Sequence, residues 1–260
     1  MTDVVGPEDS RVAVYADLRH QSAQENGTHF ICEGRWVVQR LIASDLEVES
    51  LLVQRGLEQE FAVPLEKRFP IYVMPKTDIS KLVGFDFHRG VLGCGIRPRR
   101  RQIDEFDTTK LDDKIVLLDR VNEPENVGTI LRSCAAFGVR QVVLGPQTVD
   151  PFRRRVVRVS MATVLKQDFI HASCYDSLCA WLAGYQGRIV ATTLASDSLS
   201  IQDLPPTQEP TVLMVGNEGD GIDPRLRSIA TQRVKIPMDL ETDSLNVSAA
   251  AAIFLFRLFG

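Results

Sequence analysis

The apolar positions from Lys114 onward alternate between short continuous runs and longer stretches with helical spacing. Lys114–Leu118 (KIVLL) reads as a strand buried on both faces. In Asn126–Phe137, Val127, Ile130, Leu131 and Cys134 fall at i, i+3, i+4 and i+7, one face of a helix with its 3.6-residue period. Gly138 stands where a glycine just past the helix end would close it. Gln141–Leu144, Arg188–Thr193, Thr211–Val215 and Arg233–Ile236 predict further strands, with a helical stretch over Ser177–Ala183. Asp223-Pro224 reads as an N-cap followed by proline in the first turn. Ser244–Leu258 predicts a closing helix with Val247, Ala250, Ala251 and Phe254 on one face. Strands alternating with helices predict an α/β fold: a mainly parallel sheet with helices on both faces.

The front of the chain has a different rhythm. Ser50–Gln54 and Ile71–Met74 read as strands, and Gly34–Ala43 has helical spacing at Trp36, Val37, Arg40 and Leu41. This predicts a small, separate α/β module. Arg97–Asp113 is rich in charge and poor in large apolar residues, so it reads as a linker. A boundary near Thr108 divides the chain into domains 1–107 and 108–260.

Composition narrows the setting. With 260 residues, 44% of them hydrophobic, the chain can bury two cores without covalent staples. Its five cysteines are odd in number, lack CxxC spacing and have no histidines clustered near them. Neither a disulfide framework nor a structural zinc site is expected, and no metal. The N-terminus lacks the basic and apolar regions of a signal peptide, and no apolar run reaches bilayer length. A cytoplasmic protein with no membrane partner is expected. The net charge of −4 excludes a generic nucleic-acid coat but not a local basic site. Two arginine clusters qualify: Arg97, Arg99, Arg100 and Arg101, and Arg153, Arg154, Arg155 and Arg158. Taken alone, such runs are usually solvated surface.

Candidate chemistry lies at strand ends, where open α/β sheets bind ligands. The first loop, Asp119–Gly128, leads into the helix that carries Arg132; Asn126 reads there as an N-cap. The second, Gly216-Asn217-Glu218-Gly219-Asp220-Gly221, has glycines enough for positive φ and close ligand approach. Its G-x-x-G-x-G spacing is not the dinucleotide fingerprint, and it lacks the lysine of a phosphate-binding loop. The third runs from Ile236-Pro237-Met238 to Ser244-Leu245-Asn246-Val247-Ser248. Ser244 reads as a cap of the last helix, and Asn246 falls inside that helix's first turn.

In this order, N-V-G-x-x-x-R, G-N-E-G-x-G and I-P-M…S-L-N-V-S-A-A resemble the three motifs of the SpoU (TrmH-type) branch of the SPOUT RNA 2′-O-ribose methyltransferases. Phe30–Val38 and His88–Gly93 are similar to the L30e/L7Ae-like RNA substrate-binding domain that many of these enzymes carry. The resemblance implies a C-terminal trefoil knot, a homodimer and S-adenosyl-L-methionine as cofactor. It implies methylation of a ribose 2′-OH in structured RNA, rRNA or tRNA. Carried over by position, the catalytic residues are Asn126, Arg132, Glu218, Ser244 and Asn246. The cofactor-binding residues are Thr193, Leu194, Gly216, Ile236, Met238 and Leu245. With an RNA substrate, Arg153, Arg154, Arg155 and Arg158 become candidates for phosphate contact. Glu123 stands before Pro124 where aspartate is commoner. The rival readings are a catalytically silent RNA-binding protein on the same fold, a nucleotide-dependent dehydrogenase, and a methyltransferase with a base as target.

Overall fold

The computed structural model describes residues 2–3, 6–18, 27–61, 69–106, 111–239 and 244–260. In chain order the first elements are β1 (Thr2–Asp3), β2 (His29–Glu33), α1 (Arg35–Ile42), β3 (Val48–Gln54), α2 (Glu58–Phe61), β4 (Ile71–Met74), α3 (Lys76–Val83) and β5 (Val91–Ile96). Then come β6 (Arg101–Gln102), β7 (Lys114–Leu118), α4 (Pro124–Ala136), β8 (Gln141–Leu144), α5 (Arg154–Val159), β9 (Asp168–His171) and α6 (Tyr175–Ala183). The chain ends with β10 (Arg188–Thr192), β11 (Leu199–Ser200), β12 (Thr211–Val215), α7 (Pro224–Ile229), β13 (Gln232–Lys235) and α8 (Val247–Phe259).

These elements form two compact units. One comprises Met1–Pro98 with Asp150–Leu165, the other Arg99–Val149 with Lys166–Gly260. The boundary expected near Thr108 lies outside the described residues; the units divide between Pro98 and Arg99. The stretch holding α5, which is remote in sequence from the first unit, nevertheless packs with it. Its apolar side (Val156, Val157 and Phe152) is buried, and the Phe152 ring meets Phe30 of β2 in a tilted contact at 5.0 Å. A burial pattern does not say which core an apolar face will join, so a division by composition alone misses this.

The first unit is a five-stranded mixed sheet ordered β1-β4-β3-β5-β2. β5 runs antiparallel to both β2 and β3, and Ile31 and Ser50 each lie opposite Cys94. Between Val48 and Ser50 the register slips, leaving Glu49 as an extra residue in a bulge. Tyr15, Leu52, Met74, Phe87 and Leu92 fill the core on one side.

The second unit is an eight-stranded sheet ordered β11-β13-β10-β12-β7-β8-β9-β6. Every one of its pairings is parallel. The central strands are apolar because helices cover both faces: all five residues of β12 and four of β7 are buried. Since all the strands run the same way, the carboxyl ends of β7, β10, β12 and β13 share one edge. Two helix starts differ from their expected positions. α4 begins at Pro124 with Glu123 as N-cap, so Asn126 sits within the first turn instead of capping it. α8 begins at Val247, and its N-cap is Asn246, not Ser244.

Candidate active site

At that shared edge a cavity of about 260 Å³ opens. Its wall includes Thr193 and Leu194 after β10, Gly216 after β12, and Ile236, Met238 and Leu245 after β13. Glu218 and Ser244 also border it. Thr193 donates its backbone N–H to Val234 of β13, which ties two of these strand ends together. Leu194 and Leu245 line the cavity yet remain 62% and 38% exposed, so its mouth is apolar and open.

The loop 216–221 is held by its own backbone. Asn217 and Gly221 exchange N–H···O bonds of 3.2 and 3.0 Å. The Asn217 side chain accepts from the N–H of Gly219 at 2.7 Å and donates to the Arg120 carbonyl at 3.1 Å. A Cβ on Gly216 would lie 2.4 Å from Gly221 C and Ile222 N. Glycine at 216 is therefore required by the closure of the loop itself, before any ligand is considered.

Beneath this loop lies a corner that carries no assignment in the sequence reading. Asp119, at the end of β7, is fully buried. It accepts from Tyr175 Oη at 2.9 Å and from the N–H of Asp223 at 2.7 Å, so it anchors the start of α7. Burial raises its carboxyl above the usual carboxylate value, against the bonds that oppose the rise. The Tyr175 hydroxyl is pushed up to about 12 by burial and by the Asp119 carboxylate. Arg120 follows with φ at +56° and reaches the Gly221 carbonyl at 3.3 Å. No local sequence signal marks this corner, because its partners come from distant segments.

Two asparagine side chains and one backbone N–H meet at Glu218. Its Oε1 accepts from Asn126 Nδ2 at 3.0 Å, from Asn246 Nδ2 at 2.8 Å and from the Val247 N–H at 3.3 Å. Asn246 Nδ2 also donates to Asn126 Oδ1 at 3.0 Å. Asn246 Oδ1 accepts from Ser248 N at 3.0 Å, which caps α8. One asparagine thus both starts the helix and joins the cluster. Glu218 Oε2 accepts no bond from a described residue.

Arg132 stands apart. It lies six residues beyond Asn126 on α4, on the exposed side, with no hydrogen bond or ion pair to a described residue. Ser244 is exposed on the cavity border. The arginines of α5 belong to the first unit. Arg154 is engaged there: its Nη1 lies 2.9 Å from buried Glu33, its guanidinium 4.8 Å from the Phe85 ring centroid. Burial pulls its guanidinium below its ordinary value, opposed by Glu33. Arg154 therefore serves packing and neutralises Glu33, so it is not a free phosphate contact. Arg158 reaches Glu33 only at 4.0 Å, and its side chain stays 38% exposed.

Residues 113–256 match the model of the SpoU rRNA methylase family. A protein of Mycobacterium bovis named as an uncharacterized tRNA/rRNA methyltransferase is 31% identical over 265 residues, covering 98% of this chain and 90% of its own. The chain belongs to the SpoU family. Within that family, the 23S rRNA (guanosine(2553)-2′-O)-methyltransferase RlmP of Bacillus subtilis is 26% identical over the whole of both chains. An rRNA methyltransferase from Sinorhizobium meliloti, solved with AdoMet bound, superposes with a TM-score of 0.83 at 25% identity, covering 98% of this chain and 96% of its own. The mainly parallel α/β architecture is that of SpoU methyltransferase structures. Among the described residues, no helix is long and apolar enough to cross a membrane.

Proposed function

We propose that this chain is an S-adenosylmethionine-dependent RNA methyltransferase that modifies a ribose 2′-OH in rRNA or tRNA, as a cytoplasmic homodimer. The observation that carries this reading is the cavity at the ends of three parallel strands, β10, β12 and β13, with the Asn126–Glu218–Asn246 cluster attached to its border. The cavity suits the cofactor chemically. S-adenosylmethionine carries a nucleoside and a carboxylate but no phosphate. The wall is rich in backbone and aliphatic groups, has Arg227 for a carboxylate, and contains no lysine.

When bound, the cofactor supplies a sulfonium methyl open to in-line displacement by the ribose oxygen. This chain's residues supply alignment and charge control. Gly216, Ile236 and Leu245 would offer backbone groups to the nucleoside, and Thr193, Leu194 and Met238 would line its place. Asn126, Glu218 and Asn246 lock the border loops, with Ser244 and the open Oε2 of Glu218 available to the incoming ribose. Arg132 is a donor only, since a guanidinium has no acceptor. Its role is to hold the neighbouring phosphate and stabilise the developing oxyanion, while the phosphate or water takes the proton.

Two observations support the homodimer reading. Arg132 is exposed and bonds to no member of its own chain's cluster, and α8 shows Ile253 and Phe256 at 41% and 69% exposure. A second copy covering that apolar face would bring a second Arg132 to the open site. The reading also carries a C-terminal trefoil knot, supported by the return of α8 onto α4 after β13. The first unit is read as an L30e/L7Ae-like RNA-binding module, supported by Trp36 at 68% exposure and by the 38% exposed side chain of Arg158. The test is incubation with labelled cofactor and total RNA from a strain lacking the gene, followed by mapping of new 2′-O-methyl sites. One mapped ribose is the expected result. RNA binding without transfer to any RNA refutes catalysis, and a methylated base refutes the ribose target.

A further inference from the structure

In the first unit, three strands bring together side chains that lie far apart in the sequence. His29 is on β2, Glu49 on β3 and Cys94 on β5. Their ligand-type atoms all lie within 4.8 Å of one another. His29 Nε2 is 2.7 Å from Glu49 Oε2, and Cys94 Sγ is 3.1 Å from the same oxygen.

Sheet geometry explains the convergence. Ile31 lies directly opposite Cys94, so His29, two residues back, shares its face and stands diagonally across. Regular pleating would turn Glu49 to the other face, because Ser50 already occupies the place opposite Cys94. The bulge between Val48 and Ser50 removes that constraint and aims Glu49 at the thiol. A bulge in mid-sheet that re-aims one carboxylate is characteristic of a built site.

The histidine is oriented as a ligand would be. Its Nδ1 is 2.9 Å from Thr28 Oγ1, which leaves Nε2 to face the other two groups. Metal-bound histidines are commonly held in this way through their second nitrogen. Cys94 is buried, while the side chains of His29 and Glu49 are 30% and 43% exposed. The cluster thus has a buried sulfur floor and two ligands open to solvent.

We propose that His29, Glu49 and Cys94 bind a divalent transition metal of the zinc type, through Nε2, a carboxylate oxygen and a thiolate, with water as fourth ligand. Imidazole, carboxylate and thiolate together are ligands that zinc accepts in tetrahedral geometry. Bonds of about 2.0–2.3 Å to such an ion place ligand atoms about 3.3–3.6 Å apart, so the half-exposed Glu49 carboxylate, now 2.7 Å from His29 and 3.1 Å from Cys94, would move back by about half an ångström to admit the ion. Binding replaces the Cys94 S–H···Oε2 bond: the thiol proton leaves to solvent and the sulfur lone pair goes to the metal. The ion would clamp β2, β5 and β3 across two strand boundaries.

Cobalt(II) provides the first test, since thiolate-to-cobalt charge transfer reports sulfur ligation directly. The full chain, freed of metal with a chelator, should take up one equivalent and develop the near-ultraviolet band. Cys94→Ser should abolish the band. Cys174→Ser, which removes the exposed thiol, should leave it unchanged. In zinc competition titrations, His29→Gln and Glu49→Gln should each weaken binding at least tenfold, and Thr28→Val about tenfold. Circular dichroism of each metal-free variant checks that it is folded; if Cys94→Ser does not fold, the two partly exposed positions decide. No uptake by the wild-type chain overturns the proposal. So does a band that survives Cys94→Ser or is lost with Cys174→Ser, and so does unchanged zinc affinity in both His29→Gln and Glu49→Gln.

Discussion

Asn246 has two separable duties, and substitution can divide them. Its Oδ1 caps α8 through Ser248 N at 3.0 Å, while its Nδ2 donates to Glu218 and Asn126 at 2.8 and 3.0 Å. Serine caps as well as asparagine but cannot reach the other two groups; alanine does neither. Loss of the cap costs about 1 kcal/mol, which lowers Tm by about 2–4 °C in a domain of this size. Loss of the two donor bonds acts differently. Glu218 and Asn246 are exposed, so water takes their place in the free protein. The cost appears when the border must be ordered around ribose. One charge-assisted and one neutral bond, at the low end for exposed groups, give about 2 kcal/mol, or about 30-fold in kcat/KM. Asn246→Ser should therefore keep its Tm and lose about 30-fold in methyl transfer. Asn246→Ala should lose the same activity and a few degrees besides. Differential scanning calorimetry and single-substrate transfer kinetics measure the two effects. If the serine variant melts as low as the alanine variant, or transfers methyl at the wild-type rate, the division of duties is wrong.

Gly216→Ala places a Cβ 2.4 Å from backbone atoms of Gly221 and Ile222, which cannot yield as a side-chain tip can. Calorimetry should show cofactor affinity reduced at least tenfold, a loss of more than about 1.4 kcal/mol. For Asp119, whose carboxyl is raised by burial, the folded state holds the proton more tightly than the unfolded state. Its stabilising contribution is present below the unfolded value and is lost as pH rises through the raised folded value. The stability difference between wild type and Asp119→Asn should therefore vary with pH across that window; a constant offset in denaturant melts from acid to neutral pH would count against it. If each site draws Arg132 from the second copy, mixing Arg132→Ala with Glu218→Gln chains should restore about a quarter of wild-type activity, because each mixed dimer has one intact site. No recovery would place Arg132 with its own chain's site. Arg158→Ala should reduce the salt slope of RNA binding by about one, whereas Arg154→Ala should chiefly lower Tm by stranding buried Glu33. Equal salt slopes and equal Tm values in the two variants would refute the distinction.

The second unit was largely legible because its signals are local. Runs such as Lys114–Leu118 and the apolar face of Val127, Ile130, Leu131 and Cys134 lie within single elements. Helix starts were less legible. Asn126 has the residue type of an N-cap, but Pro124 already begins α4, so its amide is left for Glu218. Asn246 looked misplaced inside a helix that in fact starts one residue later. The three loops of the site were visible as motifs, but that Glu218 draws two asparagines onto one oxygen is a property of tertiary closure. The same holds for Asp119, whose partners Tyr175 and Asp223 come from distant segments. In the first unit, strands β2 and β5 lack a clear run: β2 has only three apolar residues between His29 and Glu33, and Gly93 and Gly95 interrupt β5. Spacing along the chain argued against a metal, and it could not show that β2, β3 and β5 would lay His29, Glu49 and Cys94 side by side.

The excursion of residues 150–165 into the first unit bears on how these proteins can be recombined. A module attached by one tether can be exchanged as a cassette, but here the chain passes between the units at 98/99, 149/150 and 165/166. A fragment ending at Pro98 would lack Phe152 over Phe30 and the guanidinium that neutralises Glu33. A fragment starting at Arg99 would carry sixteen residues with their apolar side orphaned. Gene fusions that swap only the front of the chain would therefore inherit a mismatched lining, so the front and the 150–165 stretch have to be exchanged together.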